Sequence, residues 1–341
     1  MQHVTPQTWK DPPPESIGTS IKAFLCQMRG PTWIDITGAD TSRTRVLVTL
    51  LHGNEPSGVK ALFHWLRDPL RAIPRTNMSI FVCSVEAALT EPEFSHRYLP
   101  GLPDMNRCFR PPYDSPCGYI ARQVLRRITA LKPEAVVDMH NTSGAGPDFA
   151  VTTRLDPLYI NLAQQFSSRL ILTELHLGAL MEAPVGCPII TLECGGIFDL
   201  SADQKAVTAL EILSRSNNLF LAPPGPEIDL YRHPLRLEIK DGVSLTYGEQ
   251  AEPGYDVTLA FDIEKHNFGI TGPGEPLGWI PHDGLDYFTA INDQGLDIKH
   301  DLFQVIDGVL HVRLPLRLFM ITPRPEIAIK DCLFYLVKAT P

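Results

Sequence analysis

RVLVTLLHGNEPSGVKALFHWLRD, Arg45–Asp68, sets two periodicities back to back. Arg45–Leu51 is a β-branched-rich run, the pattern of a buried strand. Glu55–Asp68 follows as a helix, with Pro56 near its first turn, where a missing N–H costs nothing. A buried strand that turns directly into an amphipathic helix is the unit from which α/β proteins are built.

The alternation continues outward. MSIFVCSV (Met78–Val85) is a second buried strand, and Cys117–Leu131 is a helix with Ile120, Val124, Ile128 and Leu131 on one face. Pro133 stops that helix, and AVVDM (Ala135–Met139) is a third strand. DFAVTT, a helix around 156–168, RLILTEL, the strand PIITLE (Pro188–Glu193) and a helix over Ser201–Ser216 follow, with Ser201 as N-cap. This order predicts an α/β sandwich with a mixed, mostly parallel sheet. Past APPGPE (Ala222–Glu227), which has linker composition, the runs become short and β-like: PLRLEI, VTLAFDI, LFQVI, VLHVRL. The expected division is a domain over 1–225, whose first forty residues are an N-terminal extension, and a smaller, mainly β domain over 226–341.

Composition narrows the function. Across 341 residues, 44% hydrophobic and 20% charged describe an ordinary globular protein. A formal net charge of −9 argues against nucleic-acid binding, which needs a basic face. No apolar run reaches the roughly 18–20 residues that span a bilayer, and the first residues contain no apolar signal core. The seven cysteines are scattered and never form C-x-x-C, so free thiols in a reducing, cytoplasmic setting are expected. A homo-oligomer is compatible with the sequence.

Polar residues mark three expected strand ends: Leu51 runs into His52-Gly-Asn-Glu55, Met139 into His140, and Leu192 into Glu193. Ligands of open α/β sheets bind at the carboxyl ends of strands. Two imidazoles and a carboxylate, His52, Glu55 and His140, suit a catalytic Zn²⁺ that keeps a position open for water. Gly53 would let the backbone turn so that His52 and Glu55 reach one ion. The competing reading is a surface turn with Glu55 favourable at a helix N-terminus, and a satisfied histidine at 140.

LLHGNEPSG (Leu50–Gly58) resembles the H-G-N-E signature of the succinylglutamate desuccinylase/aspartoacylase family, within the zinc carboxypeptidase-like hydrolases. PDMNRCF (Pro103–Phe109), VVDMHNTSG (Val136–Gly144) and ITLECGG (Ile190–Gly196) resemble its further motifs, in the family order. NFGITGPGEPLGW (Asn267–Trp279) and RPEIAIKDCLFYLV (Arg324–Val337) are similar to the desuccinylase β domain. The resemblance implies a three-layer, zinc-exopeptidase-like α/β/α sandwich with a C-terminal β domain that restricts the cleft. It implies one zinc ion per chain on His52, Glu55 and His140, and Glu193 as the general base acting on water. It implies that Asn106 and Arg107 hold a substrate carboxylate, while Arg97 either polarises the scissile carbonyl or is a solvated loop arginine. Asp104 could brace Arg107, Asp138 could support the metal site, and Arg110 is a further candidate anion contact. His64 is expected as half-buried packing in its helix. The expected activity is hydrolysis of the amide of a small N-acyl amino acid, with a small carboxylate-bearing substrate as partner. The alternatives are a metallocarboxypeptidase acting on peptides and a non-catalytic zinc-binding protein.

Overall fold

The computed structural model describes residues 5–174, 176–221, 227–281, 284–292, 294–329 and 332–339. Residues 222–226 of the expected linker, and His282, lie outside them.

Nine strands form one sheet: β1 (Gln7–Lys10), β2 (Thr32–Ile36), β3 (Asp40–Thr49), β4 (Thr76–Val82), β5 (Val136–Thr142), β6 (Phe149–Thr152), β7 (Arg169–Leu172), β8 (Ile189–Gly196) and β9 (Asp229–Arg232). Their spatial order is β1-β2-β4-β3-β5-β8-β6-β7-β9. The pairs β1–β2, β3–β4, β3–β5 and β6–β7 are parallel, and β2–β4 and β6–β8 are antiparallel. The helices are α1 (Ile21–Met28), α2 (Ser57–Arg67), α3 (Val85–Leu89), α4 (Pro116–Leu131), α5 (Pro157–Phe166) and α6 (Leu200–Arg215).

Strand side chains alternate between faces, and this parity sorts the core into two layers. Leu47, Val137 and Leu192 pack with Leu62 of α2, Leu162 of α5 and Leu210 of α6. Val46, Val48 and Val136 pack with Ala121, Val124 and Ile128 of α4. Helices therefore cover both faces, giving the expected α/β/α sandwich, and each fully buried aliphatic side chain contributes roughly 1.5–3 kcal/mol. On α4, Ala121 takes a place in the buried stripe, whereas Ile120 and Leu131 are only half-buried. A helix repeat of 3.6 residues sets 121, 124 and 128 on the sheet-facing line.

One local expectation is corrected. The last helix of this sandwich begins at Leu200, with Asp199 rather than Ser201 at its N-cap. Asp199 sits there because its N–H reaches Gly196 O at 2.9 Å, and the resulting turn starts the helix early. At the start of the turn that carries His52 and Glu55, Leu50 is left-handed, at φ 56°. Gly53 is needed for close approach, since a Cβ there would lie 2.7 Å from Ala87 Cβ and His96 O. No described helix is long and apolar enough to cross a membrane.

The chain divides into two compact units. One contains the residues up to Asn141 together with Asp148–Leu230; the other contains Thr142–Pro147 and the residues from Tyr231 on. The second unit has two five-stranded sheets. One runs, in spatial order, Ile270–Thr271, Leu316–Phe319, Phe334–Lys338, Leu235–Ile239 and Phe288–Thr289; the other runs Leu245–Gly248, Val257–Ala260, Pro276–Trp279, Val309–Val312 and Phe303–Ile306. Within this unit the Ala145 N–H donates to Glu264 Oε1 at 2.5 Å, and Asn267 Nδ2 donates to Ala145 O at 2.5 Å. A Cβ on Gly144 would lie 1.9 Å from Ile321 O, so only glycine fits this path.

Candidate active site

The candidate site begins where β3 ends. Thr49 is the last strand residue, the left-handed Leu50 turns the chain out of the sheet, and the Ser84 hydroxyl fastens the turn by donating to Leu51 O at 2.7 Å. His52 and Glu55 project from this turn, before α2 begins at Ser57. His140 stands inside β5 and Glu193 inside β8, because both strands continue past the positions at which the sequence suggests they stop. Val136 and its two-residue repeat put Asp138 and His140 on the α4 face; the packing of Leu192 on the other face gives Glu193 the α4 face as well.

His52, Glu55 and His140 are buried, and a set of their ligand atoms lies within 4.8 Å of one another. Glu55 Oε1 is 2.7 Å from Nδ1 of His52, and Oε2 is 2.7 Å from Nδ1 of His140. Each imidazole turns its other nitrogen to a carboxylate: His52 Nε2 lies 2.9 Å from Asp104 Oδ1, and His140 Nε2 lies 2.9 Å from Asp138 Oδ2. Carboxylates in that position fix ring orientation and raise the basicity of the inward nitrogen, as metal-ligating histidines require. The geometry and the donor types fit a divalent zinc-like ion. Glu55 is not a helix-capping carboxylate, because its oxygens go to the imidazoles and to the Asn141 N–H at 3.3 Å.

The electrostatics follow from this arrangement. Burial pushes the Glu55 carboxyl up, but the two imidazoles outweigh it and hold it well below the usual range. Burial likewise opposes ionisation of Asp104, while His52 and Arg97 pull it down further. Burial disfavours charge on His140, yet Asp138 and Glu55 together raise it well above the ordinary histidine value. Glu193 is raised to about 7, mainly by burial and with help from the Glu55 charge, against the opposing pull of His140 and His52. Its Oε2 is buried and has no hydrogen-bond partner among the described residues.

Arg97 is a loop arginine with 39% of its side chain exposed, and its guanidinium reaches this cluster. Its Nε donates to Asp104 Oδ2 at 3.0 Å and its Nη1 to Glu55 Oε1 at 3.3 Å. Asp104 makes its side-chain hydrogen bonds to His52, Arg97 and the Asn106 N–H, whereas Arg107 donates to Asn106 O at 3.0 Å. The one-turn helix Met105–Arg107 starts on Asp104, whose carboxylate accepts from the Asn106 N–H, and the Arg107 charge acts on it without a hydrogen bond. Asn106 Oδ1 accepts from the Leu180 N–H at 2.9 Å, and Arg110 donates to His176 O at 2.8 Å. Among the described residues Arg107 has no carboxylate at ion-pair distance, in contrast to Arg97. His64 is exposed at the end of α2, edge-on to Phe63, rather than half-buried.

Residues 42–214 match the family described as the succinylglutamate desuccinylase/aspartoacylase catalytic domain. The chain belongs to this family. No curated protein matches the sequence. Among solved structures, a succinylglutamate desuccinylase from Vibrio cholerae is similar with a TM-score of 0.57 and 17% identity, over 91% of this chain and 86% of that one. Murine aminoacylase 3 is similar with a TM-score of 0.53 and 18% identity, over 88% and 96%. A succinylglutamate desuccinylase/aspartoacylase from Rhodobacter sphaeroides gives 0.53 and 15%, over 85% and 83%. At these identities the likeness shows the desuccinylase/aspartoacylase fold. Asn141 and Ser57 lie in the family motifs, yet nothing in their spacing signals the contacts that they make.

Proposed function

We propose that this chain hydrolyses the amide bond of a small N-acyl amino acid, with one zinc ion held by His52, Glu55 and His140. The observation that carries the reading is the buried convergence of these three groups, with a carboxylate oxygen 2.9 Å from each outward imidazole nitrogen and Glu193 on the same sheet face. When bound, zinc lowers the pKa of a coordinated water and polarises a carbonyl.

The chain's own residues supply the rest. Glu193 Oε2, with no hydrogen-bond partner among the described residues, takes a proton from the attacking water and returns it to the leaving amine nitrogen as the C–N bond breaks. Arg97, already beside Glu55, places positive charge where the carbonyl oxygen gains negative charge. Arg107 offers a planar fork to the substrate carboxylate, and the Nδ2 end of Asn106 adds a directional donor. The products are a free carboxylic acid and a free amino acid, which balances one water against one amide.

The test combines metal analysis with a panel of N-acyl amino acids. The purified protein is expected to bind one zinc per chain and to hydrolyse members of the panel. Glu193→Gln keeps its zinc and loses on the order of 10²–10⁴-fold in kcat. Arg107→Ala loses mainly kcat/KM on carboxylate-bearing substrates. A metal-free active protein, or a Glu193→Gln variant that turns over normally, overturns the reading.

A further inference from the structure

Asn141, one residue past His140, is a buried amide whose polar atoms are all engaged. Its Oδ1 accepts from the Ser57 N–H at 3.0 Å, while Nδ2 donates to Ser57 Oγ at 2.9 Å and to Gly195 O at 3.1 Å. Its own N–H donates to Glu55 Oε2 at 3.3 Å. One residue therefore touches the turn that carries Glu55, lies on the strand that carries His140, and holds the strand that carries Glu193 two residues beyond that glutamate. Asn141 is 84 positions from Ser57 and 54 from Gly195 in the chain.

The contact is supported from behind. Ser57 Oγ, which accepts from Asn141, donates to Asp203 Oδ1 at 2.7 Å, and Asp203 Oδ2 accepts from Lys60 Nζ at 2.9 Å. Because a hydroxyl has one proton, donating to Asp203 turns the Ser57 lone pairs toward Asn141. Ser57 N–H belongs to the first turn of α2, where backbone donors have no partner within the helix, so the Asn141 oxygen also caps it. The amide cannot flip without setting Nδ2 against the Ser57 N–H and Oδ1 against Gly195 O. Its orientation is thus locked by both ends.

We infer that Asn141 is a positioning residue that fixes Glu55 and the Glu193 strand relative to His140, acting through Ser57 and Gly195 and touching no reacting atom. The inference rests on the zinc-ligand reading of His52, Glu55 and His140 given above. It makes a specific demand: removing the amide should loosen metal geometry and proton transfer together and leave carboxylate recognition by Asn106 and Arg107 intact.

The experiment compares Asn141→Ala and Ser57→Ala with the unaltered protein. Zinc affinity is measured by chelator competition, the visible spectrum is recorded after Co²⁺ replaces zinc, and kcat and KM are determined separately on a cleaved N-acyl amino acid. Asn141→Ala is expected to lose roughly 10–100-fold in zinc affinity or kcat, with KM changed less than threefold and an altered Co²⁺ band pattern. Ser57→Ala retains the N–H to Oδ1 and is expected to show a smaller change in the same direction, which keeps the test alive where Asn141→Ala folds poorly. Unchanged affinity, spectrum and kcat in both variants overturns the inference. A rise confined to KM overturns it as well, by moving Asn141 to substrate binding. If the unaltered protein binds neither Zn²⁺ nor Co²⁺, the failure lies in the proposed function instead, and the thermal stability of the two variants then shows the clamp as purely structural.

Discussion

The Leu180 N–H donates to Oδ1 of Asn106 at 2.9 Å across 74 positions of sequence, and this bond decides which end of the Asn106 amide is left for a ligand. With the oxygen engaged by a backbone donor, the amide presents its Nδ2 hydrogens, which suits an anion. An aspartate at this position would still accept from Leu180 while presenting its second oxygen to the substrate carboxylate. Asn106→Asp is therefore expected to cut kcat/KM by ten-fold or more through like-charge repulsion, with zinc content unchanged. Steady-state kinetics on a carboxylate-bearing substrate check this, and an unaltered kcat/KM would place the carboxylate elsewhere.

Zinc binding should release a proton at neutral pH. His140 is raised well above the ordinary histidine value by Asp138 and Glu55 and so carries a proton in the metal-free protein. A metal ligand must be deprotonated, so affinity rises with pH until His140 loses its proton without help. Calorimetric titration at pH 7 in buffers of different ionisation enthalpy should report a net release of protons on zinc binding, to which His140 and Glu193 both contribute. A buffer-independent enthalpy would contradict the charged state of His140.

Glu193 should titrate near neutrality only while the metal is absent. Its carboxyl is raised to about 7 in the metal-free protein, chiefly by burial. A divalent cation in the neighbouring ligand set favours the ionised form and moves that value down. Infrared or NMR titration of labelled glutamate, with Glu193→Gln as the assignment control, should show a group near 7 that shifts lower on adding zinc. No shift would mean that Glu193 does not sense the site.

Asp104 ties stability to pH. Its carboxyl is held below the ordinary range by His52 and Arg97, so the stabilisation is present above about pH 4, the unfolded value. It disappears as pH falls toward the lower folded value. Asp104→Asn should flatten the decline of Tm between about pH 5 and pH 2 and weaken zinc binding by roughly 10–100-fold. An equal acid decline in both proteins would show that the bonds to His52 and Arg97 contribute nothing.

Gly58 separates α2 from the sheet. A Cβ there would stand 2.2 Å from Thr49 Oγ1 and 3.1 Å from Met139 Sδ, one on the strand before His52 and the other adjoining His140. Gly58→Ala is expected to destabilise the fold by about 1–3 kcal/mol through overpacking. Thermal unfolding measures it, and an unchanged Tm would show that the helix can move aside at no cost.

The sheet and its helices were legible because burial leaves a local trace. Val46 and Val48 point to one layer and Leu47 to the other, and the run they form is apolar for that reason. His52, Glu55, His140 and Glu193 were legible as ionisable residues interrupting such runs. The contacts that orient them were not, because they depend on tertiary placement. Asp104 is adjacent to the Asn106-Arg107 pair in sequence, yet its side chain reaches His52, 52 positions away. Asn141 looks like any polar residue after a strand, and its role exists only once Ser57 and Gly195 are brought beside it. Ser201 was a sound capping residue by type, overtaken by a turn between Gly196 and Asp199 that no propensity scale encodes.

The placement of Thr142–Pro147 also bears on how the molecule is made and how it can be recombined. Ala145 takes its partners from Glu264 and Asn267, which lie 119 and 122 positions further along the chain. During synthesis, this short segment waits without them until most of the polypeptide has emerged, and contacts of such long sequence separation slow folding. A gene cut near codon 226 would leave those partners behind, so a chimera that exchanges the C-terminal half with a relative must carry Thr142–Pro147 across with it. The natural unit of exchange in this protein is therefore discontinuous.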